Sequence, residues 1–476
     1  MLVDSERAGP VSASSPVHFI GISGIGMSAL ARILLQRGVP VSGSSDRATA
    51  LTARLTGEGA TVAIGHDARN LAGARRVVVS SAIDETNAEL REARRLGVPV
   101  VRRGELLAEL MAGTRGIAIA GTHGKTTTTA MTAAVLEAAG VDPTVVIGGE
   151  RVDTGTNAHS GTGPFLLTEA DESDGSFLLL EPEIAVVTNI ENDHIASDEE
   201  LPALERGFET FLATLPARGL AILGTDDPRA RALAGRPRAA RTRTFGLASP
   251  ADLRATNVRY EGLDSAFDVV EDGVALGAFV LRVPGAINVL DALPAIAVGR
   301  VLGVPVATIA RALAEFRGVK RRFEILARTP RAIVVEDYAH HPTAVAATIA
   351  AARHAHAGAV VAVFQPHRYS RTRYLAAAFA RALAGADRIV LTEIYAASEA
   401  PIAGVDARSI GDRITGRAAD VAYAPVETLE RYLDVSVAHG SLVLMLGAGS
   451  ITAAAARYRD LVLEEAAVPV ARRSRP

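Results

Sequence analysis

Ile117-Ala-Ile-Ala-Gly-Thr-His-Gly-Lys-Thr-Thr-Thr-Thr129 is the stretch on which the fold turns. Four apolar residues of strand character run into a Gly-Thr-His-Gly loop, and an Ala-rich segment of helical character follows. A loop at that junction aims backbone N–H groups at a phosphate, and the positive end of the helix dipole adds to the attraction. Gly121 and Gly124 permit close approach. Lys125 has the reach of a terminal-phosphate ligand, and the Thr126 hydroxyl that of a Mg²⁺ ligand. A full-length Walker loop would have glycine at position 119, where this chain has Ile119, so the loop is a shortened variant. The plainer alternative is a Gly/Thr helix cap carrying an exposed lysine.

Outward from this loop, short Val- and Ile-rich runs alternate with longer Ala/Leu/Arg segments of helical period. Such runs are Val17–Ile20, Arg76–Ser80, Ile184–Thr188, Ile333–Glu336, Val360–Phe364, Ile389–Thr392 and Leu442–Leu446. Buried strands separated by amphipathic helices predict parallel sheets of the α/β class. With 476 residues the chain exceeds one ordinary core. The pattern restarts twice, predicting three domains over residues 1–112, 113–320 and 321–476. Alternating runs between Thr242 and Val283 predict a small antiparallel addition to the middle one.

Composition narrows the function. Fifty Lys and Arg against 53 Asp and Glu give a net charge of −3, against a nucleic-acid coat protein. No cysteine is present, which excludes disulfides, thiolate metal sites and a Cys nucleophile. The polar, acid-bearing N-terminus has no apolar core of a secretion signal, and no run is long enough for a membrane span. A cytoplasmic protein is expected.

A second glycine loop, Gly21-Ile-Ser-Gly-Ile-Gly26, also joins a strand to a helix. Gly21, Gly24 and Gly26 are spaced G-x-x-G-x-G, and Asp46 follows about 20 residues on, where a ribose contact would lie. A nucleotide pyrophosphate at the helix start is the functional reading, and NAD and a UDP-sugar both remain open. Glu169-Ala-Asp-Glu-Ser-Asp174 follows the run Phe165–Leu167, which suits Mg²⁺ binding at a strand end. In Asn189-Ile-Glu-Asn-Asp-His194, His194 is a candidate second ligand. Asp337-Tyr-Ala-His-His-Pro342 and Phe364-Gln-Pro-His-Arg-Tyr-Ser-Arg-Thr-Arg373 each end a strand. Arg368, Arg371 and Arg373 are expected to form a compact basic loop for a carboxylate or phosphate.

In this order, with Gly318–Glu324 and Glu399–Ser409, the motifs resemble the Mur ligase family over Pro16 to Ala456. Among its members the resemblance is to the one that adds L-alanine. It implies a Rossmann-like UDP-sugar domain, a P-loop-type central ATPase and a Rossmann-like C-terminal domain. It implies ATP- and Mg²⁺-dependent joining of L-alanine to the carboxylate of UDP-N-acetylmuramate through an acyl phosphate, in peptidoglycan precursor synthesis. A monomer or weak homodimer is the expected state. Gly121, Thr122, His123, Gly124, Lys125, Thr126 and Thr127 would bind the ATP phosphates. Thr126, Glu169 and His194 would serve the metal, and Asn288 the adenine. Arg322 and Asp337 would hold the nucleotide. Gly21, Gly24, Gly26, Ser80 and Ser81 would hold the UDP-sugar. His341, Arg368 and Arg371 would lie near the alanine and the acyl phosphate. The chain departs from the family pattern at Ile287, where a His is usual, and at Asp291, where an Asn is usual. Rival readings are a ligase that recycles murein peptide, an NAD-linked dehydrogenase and a nucleotide switch.

Overall fold

The computed structural model describes residues 15–193, 200–248, 250–415 and 420–467. The described chain divides into two compact units. The first comprises residues up to Ile190 with Ala203–Asp252 and Pro294–Ile309. The second comprises Glu191–Pro202, Leu253–Leu293 and the chain from Ala310 onward.

The first unit holds two sheets. One has five parallel strands in the order Thr61–Ile64, Val41–Ser45, Val17–Ile20, Arg76–Val79, Val100–Arg102. The chain runs from the central strand to one edge, then returns to build the other. This leaves a crevice between the C-terminal ends of Val17–Ile20 and Arg76–Val79, where ligands bind in such sheets. Gly21–Gly26 leaves one of these ends and Ser80–Ser81 the other. The second sheet runs Arg241–Gly246, Leu220–Gly224, Ile184–Val187, Arg115–Ala120, Phe165–Glu169, Thr144–Val146, Ala158–His159, with the last pair antiparallel. Residues Ile117 to Ala120 are fully buried, as a continuous apolar strand requires when both faces are covered. The strand begins earlier than its apolar run, at Arg115, because Arg115 and Gly116 already pair in register with Phe165 and Leu166.

The second unit holds a six-stranded sheet: Glu324–Arg328, Ala332–Asp337, Ser441–Leu446, Val360–Phe364, Arg388–Leu391, Val421–Tyr423. Only the first strand is antiparallel. It also holds the antiparallel meander Leu253–Glu261, Asp264–Glu271, Val274–Leu281. The meander begins later than the sequence pattern places it. Arg241–Gly246 pairs in parallel with Leu220–Gly224 instead, because that segment follows a crossover helix rather than a hairpin turn.

Side-chain caps start two of the helices. Asp227 caps Pro228–Ala234 with proline in its first turn, and Asn87 accepts from the N–H groups of Glu89 and Leu90 at the start of Ala88–Arg95. No described helix is long and apolar enough to cross a membrane.

Candidate active site

The phosphate loop leaves the strand Arg115–Ala120 and enters the helix Lys125–Ala138. Gly121 has φ +123° and Gly124, the cap residue, +83°. Only glycine takes such angles without strain. The end of one neighbouring strand, Ile184–Val187, clamps the loop. The Thr122 N–H donates to the Asn189 carbonyl at 3.0 Å, and the His123 N–H donates to Asn189 Oδ1 at 2.8 Å. Thr188 Oγ1 donates to the His123 carbonyl at 2.6 Å.

Lys125 Nζ donates to the Gly121 carbonyl at 2.5 Å and lies 2.8 Å from Glu172 Oε2. The Glu172 carboxylate is almost wholly buried, so its charge is offset chiefly by that ammonium. Thr126 Oγ1 donates to Glu169 Oε2 at 3.1 Å, and the other carboxylate oxygen accepts the Gly148 N–H at 2.5 Å. A Cβ on Gly148 would sit 2.7 Å from that carboxylate, so glycine there admits Glu169. Thr126 and Glu169 thus bring hard oxygen donors together beside a phosphate loop, a donor set that fits Mg²⁺. His194 lies outside the described residues. Burial raises the Asp171 carboxyl, but the Ser173 hydrogen bond and the Lys125 charge outweigh it and hold it below its ordinary range. Arg103 reaches the same acidic loop, 3.2 Å from Asp174.

At the first sheet, Gly21 turns with φ +78°, and the Ser44 carbonyl accepts both the Gly21 and Ile22 N–H groups at 3.0 and 2.8 Å. Gly24 caps the helix Ile25–Gln36. A side chain at Gly26 would press on Arg103 at 3.1 Å. Ser80 is partly buried and Ser81 exposed.

In the second unit, Asp337 is buried, and its carboxylate accepts from the Phe323 and Ala339 N–H groups, each at 2.8 Å. Burial pushes its carboxyl up against the opposing pull of Arg322. The same two influences act on buried Asp291, where burial dominates strongly. Arg322 therefore sits among two buried carboxyls and the Tyr338 ring, 5.2 Å away. Asn288 donates to the Pro284 carbonyl at 2.7 Å. His341 caps the helix Pro342–Ala355, with Nδ1 3.5 Å from Glu191 Oε2.

The expected basic loop is a helix start instead. The helix Tyr369–Leu383 begins directly after Arg368, whose φ is +69°, and the arginines diverge. Arg368 and Arg373 are exposed. Arg371 turns inward and meets the buried Asp193 carboxylate at 2.9 Å and the Asp193 carbonyl at 2.7 Å. His340 lies 3.5 Å from the same carboxylate, and His367 Nδ1 is 3.2 Å from Arg371. Burial, with the charges of His340, Arg371 and Arg368, lowers His367 to about 4. Glu172 and Asp193 escaped selection from the sequence, although each lies inside a motif that was singled out. Their role shows only in the cation each one faces.

Models of the family match in sequence along the chain: the Mur ligase catalytic domain over residues 16–115, the middle domain over 119–299 and the glutamate ligase domain over 321–449. The chain belongs to the Mur ligase family. A relative from Pelobacter propionicus, named UDP-N-acetylmuramate–L-alanine ligase, is 48% identical over 439 residues, 91% of this chain and 95% of its own. The crystal structure of the UDP-N-acetylmuramate–alanine ligase MurC from Thermotoga maritima superposes with a TM-score of 0.81 at 30% identity, covering 94% of this chain and 99% of that one. A murein peptide ligase from Psychrobacter arcticus shares the fold, with a TM-score of 0.71 at 23% identity over 94% of this chain and 98% of its own.

Proposed function

We propose that the chain joins L-alanine to the carboxylate of UDP-N-acetylmuramate with consumption of ATP, a step of peptidoglycan precursor synthesis in the cytoplasm. The observation that carries the reading is the phosphate loop, with Lys125 held at its mouth by Glu172 and Thr126 paired to Glu169. The relative at 48% identity supports the choice of both substrates. The murein peptide ligase shares only the fold, which leaves recycling of peptide as the second reading.

A carboxylate is a poor electrophile, and phosphorylation makes it a good one. The loop N–H groups and Lys125 stabilise charge as the γ-phosphoryl group moves from ATP to the substrate carboxylate, giving an acyl phosphate and ADP. For this Lys125 must exchange Glu172 for phosphate oxygens. Thr126 and Glu169, with His194, would hold a Mg²⁺ ion, which would supply further neutralisation of the phosphates. The neutral amine of L-alanine then attacks the acyl carbon, and phosphate leaves from the tetrahedral intermediate. No covalent enzyme intermediate is required, in keeping with a chain without cysteine.

Asn288, Arg322 and Asp337 contact the nucleotide in this reading, and His341, Arg368 and Arg371 serve the alanine and acyl phosphate. Gly21, Gly24, Gly26, Ser80 and Ser81 hold the UDP-sugar. The domains follow as residues 1–112, 113–320 and 321–476, in a monomer or weak homodimer. The test is phosphate release from ATP and Mg²⁺, with UDP-N-acetylmuramate and single amino acids supplied in turn. Release that needs both the UDP-sugar and L-alanine is expected. Release that needs neither, or that needs a peptide in place of L-alanine, would sink the reading.

A further inference from the structure

Glu399 opens the segment Glu399–Ser409, a motif of the sequence to which the reaction assigns no task. Its carboxylate lies at the start of the helix Tyr369–Leu383. There the Ser370 N–H donates to Oε2 at 3.0 Å and the Ser370 hydroxyl donates to Oε1 at 2.6 Å. Burial would raise the Glu399 carboxyl, but the two Ser370 bonds and the Arg368 charge outweigh it and hold it below its ordinary range.

The helix needs that acid because its own cap residue supplies no acceptor. A helix start usually carries Ser, Thr, Asp or Asn, whose side-chain oxygen takes a free N–H of the first turn. Here the cap residue is Arg368, whose side chain makes no cap bond. Its cation sits at the positive end of the helix dipole, and its φ of +69° with ψ of 141° lies where glycine is favoured. An arginine is unfavourable there on both counts, and the segment Tyr395–Glu399 holds it. The Arg368 N–H donates to the Tyr395 carbonyl at 2.8 Å, and the Tyr395 N–H donates to the Pro366 carbonyl at 2.8 Å. The Tyr395 ring stacks on His367 with centroids 5.7 Å apart. The chain then turns through two left-handed residues that are not glycine, Ala397 at φ +48° and Ser398 at φ +71°. The Glu399 N–H closes that turn on the Ala396 carbonyl at 3.0 Å. Two strained segments thus meet, and the Glu399 carboxylate is the side chain that bonds one to the other.

We propose that Glu399 is a positioning residue of the amino-acid site, capping the helix from a distant loop so that Arg368 can occupy the cap position and meet the carboxylate of L-alanine. The proposal rests on the L-alanine reading above. A guanidinium grips a carboxylate through two parallel N–H bonds, a geometry that tolerates little displacement of the backbone carrying it. Without the cap, the strained Arg368 backbone would relax and carry the guanidinium with it.

The experiment is steady-state phosphate release by the full chain, with each substrate varied in turn and the others, with Mg²⁺, saturating. Glu399→Ala should raise the KM for L-alanine by about tenfold, the worth of one hydrogen bond to a charged group. The KM values for ATP and UDP-N-acetylmuramate should stay within about twofold of wild type. The amide of Glu399→Gln can accept from the Ser370 N–H and donate to the Ser370 hydroxyl, so both bonds survive and the KM for L-alanine should stay within about threefold. Because the effect runs through Arg368, Glu399→Ala should add less than about twofold in an Arg368→Ala background. Ser370→Ala removes only the hydroxyl bond, should raise the KM for L-alanine about threefold, and serves if Glu399→Ala does not fold. An unchanged KM for L-alanine, equal rises for all three substrates, or additive effects in the double variant would overturn the positioning role. A wild type whose phosphate release does not respond to L-alanine would instead remove the L-alanine reading itself.

Discussion

The first unit contains two strand–glycine–helix turns of the same topology and opposite chemistry. At the phosphate loop the cap residue Gly124 is left-handed, and the next residue is a lysine bonded to two loop carbonyls and to buried Glu172. At Gly21–Gly26 the cap residue Gly24 is extended, and the loop contains no cation of its own. There the backbone is fixed by the Ser44 carbonyl, and the Ser44 hydroxyl donates to the buried Glu89 carboxylate at 2.6 Å. A group that moves during a reaction needs charge which can change partners. A group that is only held needs a surface that does not rearrange. Glycines alone do not distinguish these cases, whereas the ionisable side chains behind them do.

Substitutions on the two sides should therefore fail in different ways. Lys125→Ala should lower phosphoryl transfer by about 10³-fold or more, because charge stabilisation at the transferring group is lost. UDP binding should survive, so joint loss of both in turnover and titration assays would erase the contrast. Glu169→Gln should lower turnover by about 10²-fold, read as a raised Mg²⁺ requirement with UDP affinity unchanged. On the other side, a Cβ at Gly43 would sit 2.8 Å from both Ile22 Cβ and the Phe19 carbonyl oxygen. Gly43→Ala should cost about 1–3 kcal/mol in a denaturant titration and weaken UDP more than ATP. The smallest effect concerns pH. Glu89 has a folded-state pKa of about 2, below that of an unfolded glutamate. Its contribution to stability is present in full above the unfolded value of 4.5 and fades as pH falls toward 2. Glu89→Gln should flatten that part of the melting-temperature profile and leave its shape above pH 5 unchanged.

The strands were legible because continuous apolar runs have few alternatives in a chain of this composition, and the phosphate loop because its glycines and lysine sit at fixed offsets from a strand. The basic loop was misjudged because sequence spacing cannot say that Arg371 turns inward. That follows from Asp193, 178 residues earlier in the chain. The meander's start was set too early because Arg241–Gly246 alternates like an edge strand, yet it continues a parallel sheet. Glu89 lies in the first turn of the Arg-rich helix Ala88–Arg95, and nothing in its sequence surroundings marks it. Its burial depends on Ser44, His66 and Asn70, residues that carry no signal until the sheet assembles.

One contact of the glycine-loop helix carries further. Arg32, nearly fully buried, donates to Asn157 Oδ1 at 2.6 Å, and one continuous apolar cluster runs from Val17 and Leu30 through Leu107 to Ala118, Phe208 and Leu223. The two glycine turns are thus mounted on a shared interior, and the spacing between them is set when the chain folds. The protein carries its own gauge block. A fragment cut after residue 112 would keep the turn but expose a broken half of that interior, and it should clump rather than bind.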